Sequence, residues 1–230
     1  MSSLLTVYFQ PIWDLWTRTV VGYEALVRGQ RADRVISAHE VFREAGEHGG
    51  AVAVDAEARR MALDRLGYLP QETRLFVNLL PKTVETIAPH HWFPRGARLD
   101  RVVVEVSERT KRAERLQQGL APLRLQGLQV ALDDYGVERT NLHLLEVLQP
   151  EWLKLDLSFV REGRWELIRN LRRFVEDWPG MHLIVEGVES KADIERCLDA
   201  GVRYMQGFAL GIPLPLTDVL RVERVEVDPR

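Results

Sequence analysis

The chain has 230 residues, with 31 Lys and Arg against 34 Asp and Glu, a formal net charge of −3 at pH 7. That balance excludes the strongly basic groove of a nucleic-acid polymer binder and a polybasic membrane patch, and no apolar run approaches the roughly 18 residues of a membrane span. A single cysteine, Cys197, permits no internal disulfide and no cysteine-based zinc site, so the expected compartment is the reducing cytoplasm.

In chain order, the opening MSSLLTVYFQPIWDLW has neither a positive n-region nor a small-residue cleavage site and reads as mature protein. It contains the first of two strand-like runs, Val7–Ile12 and Val20–Val27. Asp14–Thr19 between them is short enough for a hairpin, so the two should pair antiparallel. Ser37 with Glu40 reads as a capping box ahead of a short helix, and Asp55–Leu66 has apolar residues at helical spacing. Strands follow at Leu75–Leu79 and Arg101–Val106, then a helix at Glu114–Leu125 with Gly127 just past its end. Leu128–Leu132, Trp152–Leu157, His182–Val185 and Tyr204–Leu210 complete the strands. Helices at Asn141–Leu148, Glu166–Trp178 and Ala192–Ala200 alternate with them, the last capped by Ser190 and closed by Gly201. Helical crossovers impose parallel pairing. Eight such strands fit one closed α/β barrel of the TIM-like (β/α)8 type, with an antiparallel first strand, over residues 1–230. A doubly wound open sheet is the competing pattern.

Polar residues recur at the C-terminal ends of these apolar strands: Glu24, Asn78, Glu105, Asp133 with Asp134, Lys154 with Asp156, Glu186 and Gln206. A carboxylate in such a run costs several kcal/mol of desolvation, of order 2–7, unless paired or metal-bound. In a parallel barrel all these ends meet on one rim, where barrel enzymes carry out chemistry. Several carboxylates there would repel one another, and divalent cations relieve that. Oxygen-only donors point to Mg²⁺ or Mn²⁺ rather than zinc. Asp133 and Asp134 are placed to bridge two ions about 3.5–4 Å apart, the device used for phosphoester hydrolysis. Lys154 and Asp156, two apart, should share a strand face, and the lysine could orient water and offset phosphate charge. No nucleophile elbow, Walker loop or H-E-x-x-H is present. His90–His91 reads as a surface turn, Arg169–Arg173 as a solvated helix face, and the six tryptophans as core and packing residues.

These residues carry a family resemblance. YFQPIWD followed by VVGYEALVRG, then FVNLLP, VEVSE, LDDYG, LKLDLSFV, VEGVES and MQGFALGIPLP resemble, in order, the blocks of the EAL domain, from Tyr8 to about Leu216. The resemblance implies the (β/α)8-type barrel and hydrolysis of cyclic di-GMP to linear pGpG. It implies that Glu24, Asn78, Glu105 and Asp133 hold one metal, and that Asp133 and Asp134 hold a second. Lys154 and Glu186 would handle the attacking water, making them catalytic together with Glu24. Gln10, Leu26, Arg28, Asp156, Glu189, Gln206 and Pro213 would line the nucleotide cleft. Two Mg²⁺ or Mn²⁺ ions would serve as cofactors, with Ca²⁺, which coordinates more loosely, as inhibitor. A homodimer is expected, with a further regulatory protein as a conceivable partner.

The chain departs from the family at one place. After DDYG the family has a small, glycine-containing stretch such as T-G-Y-S-S, whereas this chain has Val137–Glu138–Arg139–Thr140–Asn141. By the resemblance that loop is expected to pack near Glu108 and to support the paired aspartates. Losing the glycine removes easy access to φ > 0, and two charges are added. The alternatives to the phosphodiesterase are a weak or inactive cyclic di-GMP receptor and a protein-interaction module on the same scaffold. A two-carboxylate glycosidase leaves Asn78, Lys154 and the aspartate pair without a role.

Overall fold

Two long strands open the computed structural model, which describes residues 4–31, 34–137 and 142–222. β1 (Leu4–Asp14) and β2 (Thr19–Arg31) pair antiparallel with Gln10 opposite Glu24, as the short gap between them required. β3 (Arg34–Ile36) adds to the far end of β2. The remaining strands are β4 (Arg74–Asn78), β5 (Val102–Ser107), β6 (Gln129–Tyr135), β7 (Trp152–Leu155), β8 (His182–Val185) and β9 (Tyr204–Met205). They run in the order β1-β9-β8-β7-β6-β5-β4-β2-β3, and the β1–β2 pairing closes the sheet. The result is a closed barrel of eight strands with β3 outside it; β1 is antiparallel to both neighbours and all other barrel pairs are parallel.

The helices are α1 (Ala38–Glu47), α2 (Ala51–Leu63), α3 (Pro81–Thr86), α4 (Ala113–Arg124), α5 (Leu142–Leu148), α6 (Ser158–Arg161), α7 (Trp165–Glu176), α8 (Lys191–Asp199) and α9 (Leu216–Val222). Ser190 and Asp193 form a complete capping box on α8. Ser37 caps α1 by accepting from Glu40 N, but the Glu40 carboxylate is taken by Arg34 at 2.6 Å, so only half of the expected box forms. Gly127 (φ 92°) and Gly201 (φ 81°) end their helices as anticipated. The helix expected from Asp55 starts earlier, at Ala51, and stops at Leu63.

β1, β2, β7 and β9 each depart from their expected bounds by two or more residues at an end, and β6 runs past Leu132 to Tyr135. β1 and β2 are longer than their apolar runs, because residues 26–31 of β2 leave β4 and continue as a ribbon with β1 and β3. β7 ends at Leu155, because Asp156 accepts from Ser158 N at 2.9 Å and starts α6. β9 ends at Met205: at Gly207 the chain passes so close to Val188 that a Cβ would lie 2.1 Å from the Val188 carbonyl oxygen. Trp16 is also not a packing residue. It is 60% exposed, with the Arg203 guanidinium 5.3 Å from its ring centre.

Strand parity explains where the core ends and the site begins. Inside the barrel one apolar cluster is built from Ile12, Phe76, Val103, Ala131, Trp152, Ile184 and Tyr204, one residue from each of seven strands. Trp152 packs edge-on against both Phe76 and Tyr204. β2 contributes Gly22 to this layer, where a Cβ would lie 2.6 Å from the Phe76 ring. The alternate positions, such as Val77, Val104, Leu132, Leu153 and Val185, pack outward against the helices. Strands buried on both faces therefore read as nearly continuous apolar runs. Among the described residues no helix is long and apolar enough to cross a membrane.

Candidate functional site

Two residues beyond each member of that inner layer, the inward position becomes polar. Phe76 gives way to Asn78, Val103 to Glu105, Ala131 to Asp133, Trp152 to Lys154, Ile184 to Glu186 and Tyr204 to Gln206; Gly22 gives way to Glu24, and on antiparallel β1 Ile12 gives way to Gln10. A period of two carries these side chains to one end of the barrel. There a cleft of about 260 Å³ is lined by Gln10, Glu24, Leu26, Asp133, Asp134, Lys154, Glu186, Glu189 and Gln206 from the sequence-derived set.

Lys154 is the centre of the floor and is 1% exposed. Its Nζ lies 2.6 Å from Glu105 Oε1, 2.7 Å from Glu186 Oε1, 3.2 Å from Asp133 Oδ1 and 3.3 Å from Glu24 Oε2. An ammonium has only three hydrogens for these four partners, and Glu105 Oε1 and Asp133 Oδ1 are buried without an aligned hydrogen bond. Asn78 Nδ2 donates to Glu105 Oε2 at 3.0 Å. Gln206 Nε2 donates to Glu24 Oε2 at 2.7 Å and to Gln10 Oε1 at 3.2 Å, and Gln10 Nε2 holds the Gly211 carbonyl. Glu105 and Glu24 are thus each oriented by a neighbouring amide.

The crowding shows in the proton affinities. Burial, reinforced by Asp133 and Glu24 and only partly opposed by Lys154, pushes the Glu186 carboxyl up to about 8. Burial and then the Asp133 charge raise Asp134 to about 6. Glu105 and Asp133 are raised for the same first reason, desolvation. Burial alone would pull the Lys154 ammonium down, but the four carboxylates together hold it well above its ordinary value.

Asp133 and Asp134 are consecutive, and in a regular strand one would face outward. A bulge resolves this. Leu132 pairs with Leu153 but Tyr135 pairs with Leu155, so β6 carries one extra residue there, and Asp134 adopts φ 56°. Both side chains consequently reach the cleft. Behind them Glu108 Oε2 accepts from Gly136 N at 3.2 Å, and Glu108 N donates to Asp133 O. Of the divergent stretch Val137–Asn141 only exposed Val137 is described; the expectation for Glu138 to Asn141 lies outside the described residues.

The residues lining this cleft do not include Arg28, Asp156 or Pro213, nor the expected ligands Asn78 and Glu105, which reach it through Lys154 and each other. Arg28 stands on the β1–β2 ribbon, bonded to the Val27 carbonyl and 5.8 Å from the Tyr8 ring centre. Asp156 lies past the strand end and turns to Ser158 N, so it does not share a strand face with Lys154. Pro213 precedes Leu214, whose backbone pairs with Phe9 beside the barrel. Leu157, Gly187, Gly207 and Phe208 line the cleft without having been singled out. Phe208, 61% exposed at the mouth, had a signal in its MQGF block.

Comparison with known proteins agrees with this geometry. The EAL domain model matches residues 2–213. YkuI of Bacillus subtilis, described as an uncharacterized EAL-domain containing protein, is 28% identical over 220 residues, 90% of this chain and 54% of that protein. Its crystal structure, in complex with c-di-GMP and calcium, superposes with a TM-score of 0.79 at 26% identity, covering 95% of this chain and 60% of that one. BlrP1 of Klebsiella pneumoniae, in a manganese and cyclic di-GMP complex, gives a TM-score of 0.78 at 27% identity over 91% of this chain and 56% of that one. PdeI of Escherichia coli, a probable cyclic di-GMP phosphodiesterase, is 25% identical over 235 residues, 94% of this chain and 30% of that protein. The chain therefore spans about half or less of the length of these two curated relatives. A match over residues 2–213, on a barrel with the antiparallel β1 and the polar rim just described, places the chain in the EAL domain family.

Proposed function

We propose that this chain hydrolyses cyclic di-GMP to linear pGpG with two divalent cations, Mg²⁺ or Mn²⁺. One observation carries the reading: four carboxyl groups from four strand ends surround a single buried ammonium at the cleft floor. The donor set is all oxygen, which suits hard divalent ions. Two of its buried oxygens have no aligned donor. Among the described residues no three acidic, histidine or cysteine side chains are grouped so that they could hold a metal ion as they stand; the four acids instead contact Lys154 Nζ. Cation and ammonium therefore compete for the same oxygens. The cyclic di-GMP complexes of YkuI, with calcium, and BlrP1, with manganese, support the substrate and the need for metal.

In this reading Glu24, Asn78, Glu105 and Asp133 would hold one ion, and Asp133 and Asp134 would hold the other. When bound, such ions acidify water and neutralise charge on a transferring phosphoryl group. Glu186, which lines the cleft beside Lys154, takes the proton of the attacking water as general base. Lys154 Nζ, 2.7 Å from Glu186 Oε1, orients that base and offsets phosphate charge. The water oxygen bonds to phosphorus as one ring P–O3′ bond breaks; the 3′ oxygen takes a proton from solvent, and Glu186 returns the one it accepted to solvent, so water is added across the bond. Gln10 and Gln206 keep Glu24 aimed, Glu108 supports the aspartate pair, and Leu26, Glu189 and Phe208 border the nucleotide.

Purified protein, cyclic di-GMP and Mn²⁺ or Mg²⁺, with product chromatography, test this. We expect pGpG with either ion, none in EDTA, and suppression by excess Ca²⁺. Equal turnover in EDTA rejects the metal mechanism. Binding without cleavage converts the reading into a cyclic di-GMP receptor.

A further inference from the structure

Helix α2 turns two charged residues, Asp55 and Arg59, toward the barrel rather than the solvent, and each is 2% exposed. A buried ion pair rarely adds stability over apolar residues of similar volume, so its partners are informative. They converge on one segment. Asp55 Oδ2 accepts from Thr83 Oγ1 at 2.6 Å and Oδ1 from Leu80 N at 3.4 Å. Arg59 pairs with Asp55, donates from Nη1 to Asn78 O at 3.0 Å, and ties the segment to Trp92 O through Nε at 3.0 Å. Asn78, Leu80 and Thr83 are the residues that leave β4 and enter α3. Leu80, the residue ahead of α3, has no side-chain oxygen with which to cap it, and Asp55 supplies an acceptor from outside. On the other side Leu79 N is bonded to Glu105 O. The backbone that bears Asn78 is thus gripped from both sides, while its Nδ2 donates to Glu105 Oε2. An amide donating through nitrogen keeps its oxygen as the acceptor that a cation needs.

We infer that Asp55 and Arg59 are positioning residues for Asn78: they set the direction of its amide and, through it, of Glu105, and so tune the cation affinity of a site they do not touch. This inference rests on the reading of Asn78 as a cation ligand. Outer partners of metal ligands commonly change affinity by about 10–100-fold.

The test is Mn²⁺ titration of the full chain, reading free Mn²⁺ by electron paramagnetic resonance, alongside circular dichroism and kinetics with cyclic di-GMP. Asp55→Leu/Arg59→Met removes both charges together and leaves neither unpaired. It should remain folded, bind Mn²⁺ about tenfold more weakly, need correspondingly more Mn²⁺ for half-maximal cleavage, and recover kcat to within about twofold at saturating metal. Arg59→Lys keeps the ion pair but cannot span both carbonyls, and should weaken Mn²⁺ binding about threefold or more, below the full effect of an outer-partner loss. A purely structural role would lower thermal stability and leave the Mn²⁺ dissociation constant unchanged. Binding curves of either folded variant that superimpose on the parent overturn the inference. Failure of the unsubstituted protein to bind Mn²⁺ overturns the metal reading itself, and this inference with it.

Discussion

Lys154 Nζ meets four carboxylates within 3.3 Å, so removing it changes both the chemistry and the balance of charge. Lys154→Met should cut kcat by about 10²-fold or more, the scale of losing one preorganised electrostatic group, with KM little changed. It should also destabilise the metal-free protein by about 3–5 kcal/mol, since the acids lose their buried partner. Mn²⁺ should restore much of that stability and little of the rate; thermal melts with and without Mn²⁺ beside steady-state kinetics separate the two effects. Full recovery of rate by metal would leave the lysine only a rim-holding role. Glu24→Gln preserves volume and an acceptor for Gln206 but removes one proposed ligand charge. Its cleavage should fall by about 10²-fold or more while its metal-free melting temperature holds or rises, because like charges are fewer. Near-parental cleavage would remove Glu24 from the ligand set.

The elements that deliver these residues depend on a few backbone positions. Gly187 follows Glu186 with φ 72°, and a Cβ there would lie 2.5 Å from Leu157 Cβ and 2.9 Å from Leu157 Cα. Gly187→Ala should therefore cost about 2 kcal/mol or more from left-handed backbone and forced contact, and should lower kcat by displacing Glu186. Three residues on, Ser190→Ala removes the capping box of α8, costing about 1 kcal/mol with cleavage unchanged. Urea unfolding and activity on the same two variants distinguish site-coupled from merely local destabilisation. The β6 bulge belongs to this scale too. Asp133–Asp134 was legible as a pair, but strand alternation alone sends one of the two outward; only the extra residue against β7 explains why both reach the cleft.

Closure of the whole barrel rests on a narrow seam. β1 meets β9 at Trp13 opposite Met205 and Asp14 opposite Tyr204, and Asp14 reinforces it. Its Oδ2 accepts from Arg203 Nε at 3.0 Å and Nη2 at 2.7 Å, and its Oδ1 from Trp16 N at 2.9 Å. Burial pushes the Asp14 carboxyl up, but these hydrogen bonds outweigh it and hold it below its ordinary value. As pH falls the unfolded chain takes up this proton first. The contribution is therefore complete above the unfolded pKa, near 4, and is lost as pH falls through the lower folded value. Asp14→Asn should cost about 1–3 kcal/mol at pH 7, and the gap to the parent should close in acid. Urea denaturation at a series of pH values checks this; a gap that stays constant into acid removes the charge from the explanation.

The sequence by itself determined which positions would be polar at strand ends, because alternation along a strand is a short-range property of the backbone. Glu24, Asn78, Glu105, Asp133, Lys154, Glu186 and Gln206 were readable on that basis alone, and so was the antiparallel first hairpin from the short gap after Asp14. Tertiary structure decided what those residues meet. That one ammonium sits among four carboxylates follows from closure of eight strands, a matter of long-range distances that no local periodicity encodes. Tertiary structure also turned Arg28 to the Val27 carbonyl and Asp156 to Ser158 N. It decided too that Asp55 and Arg59, spaced like an ordinary surface pair on α2, face inward beneath Asn78. A helix carries the same i, i+4 spacing on every face, and only the barrel it packs against selects which face is buried.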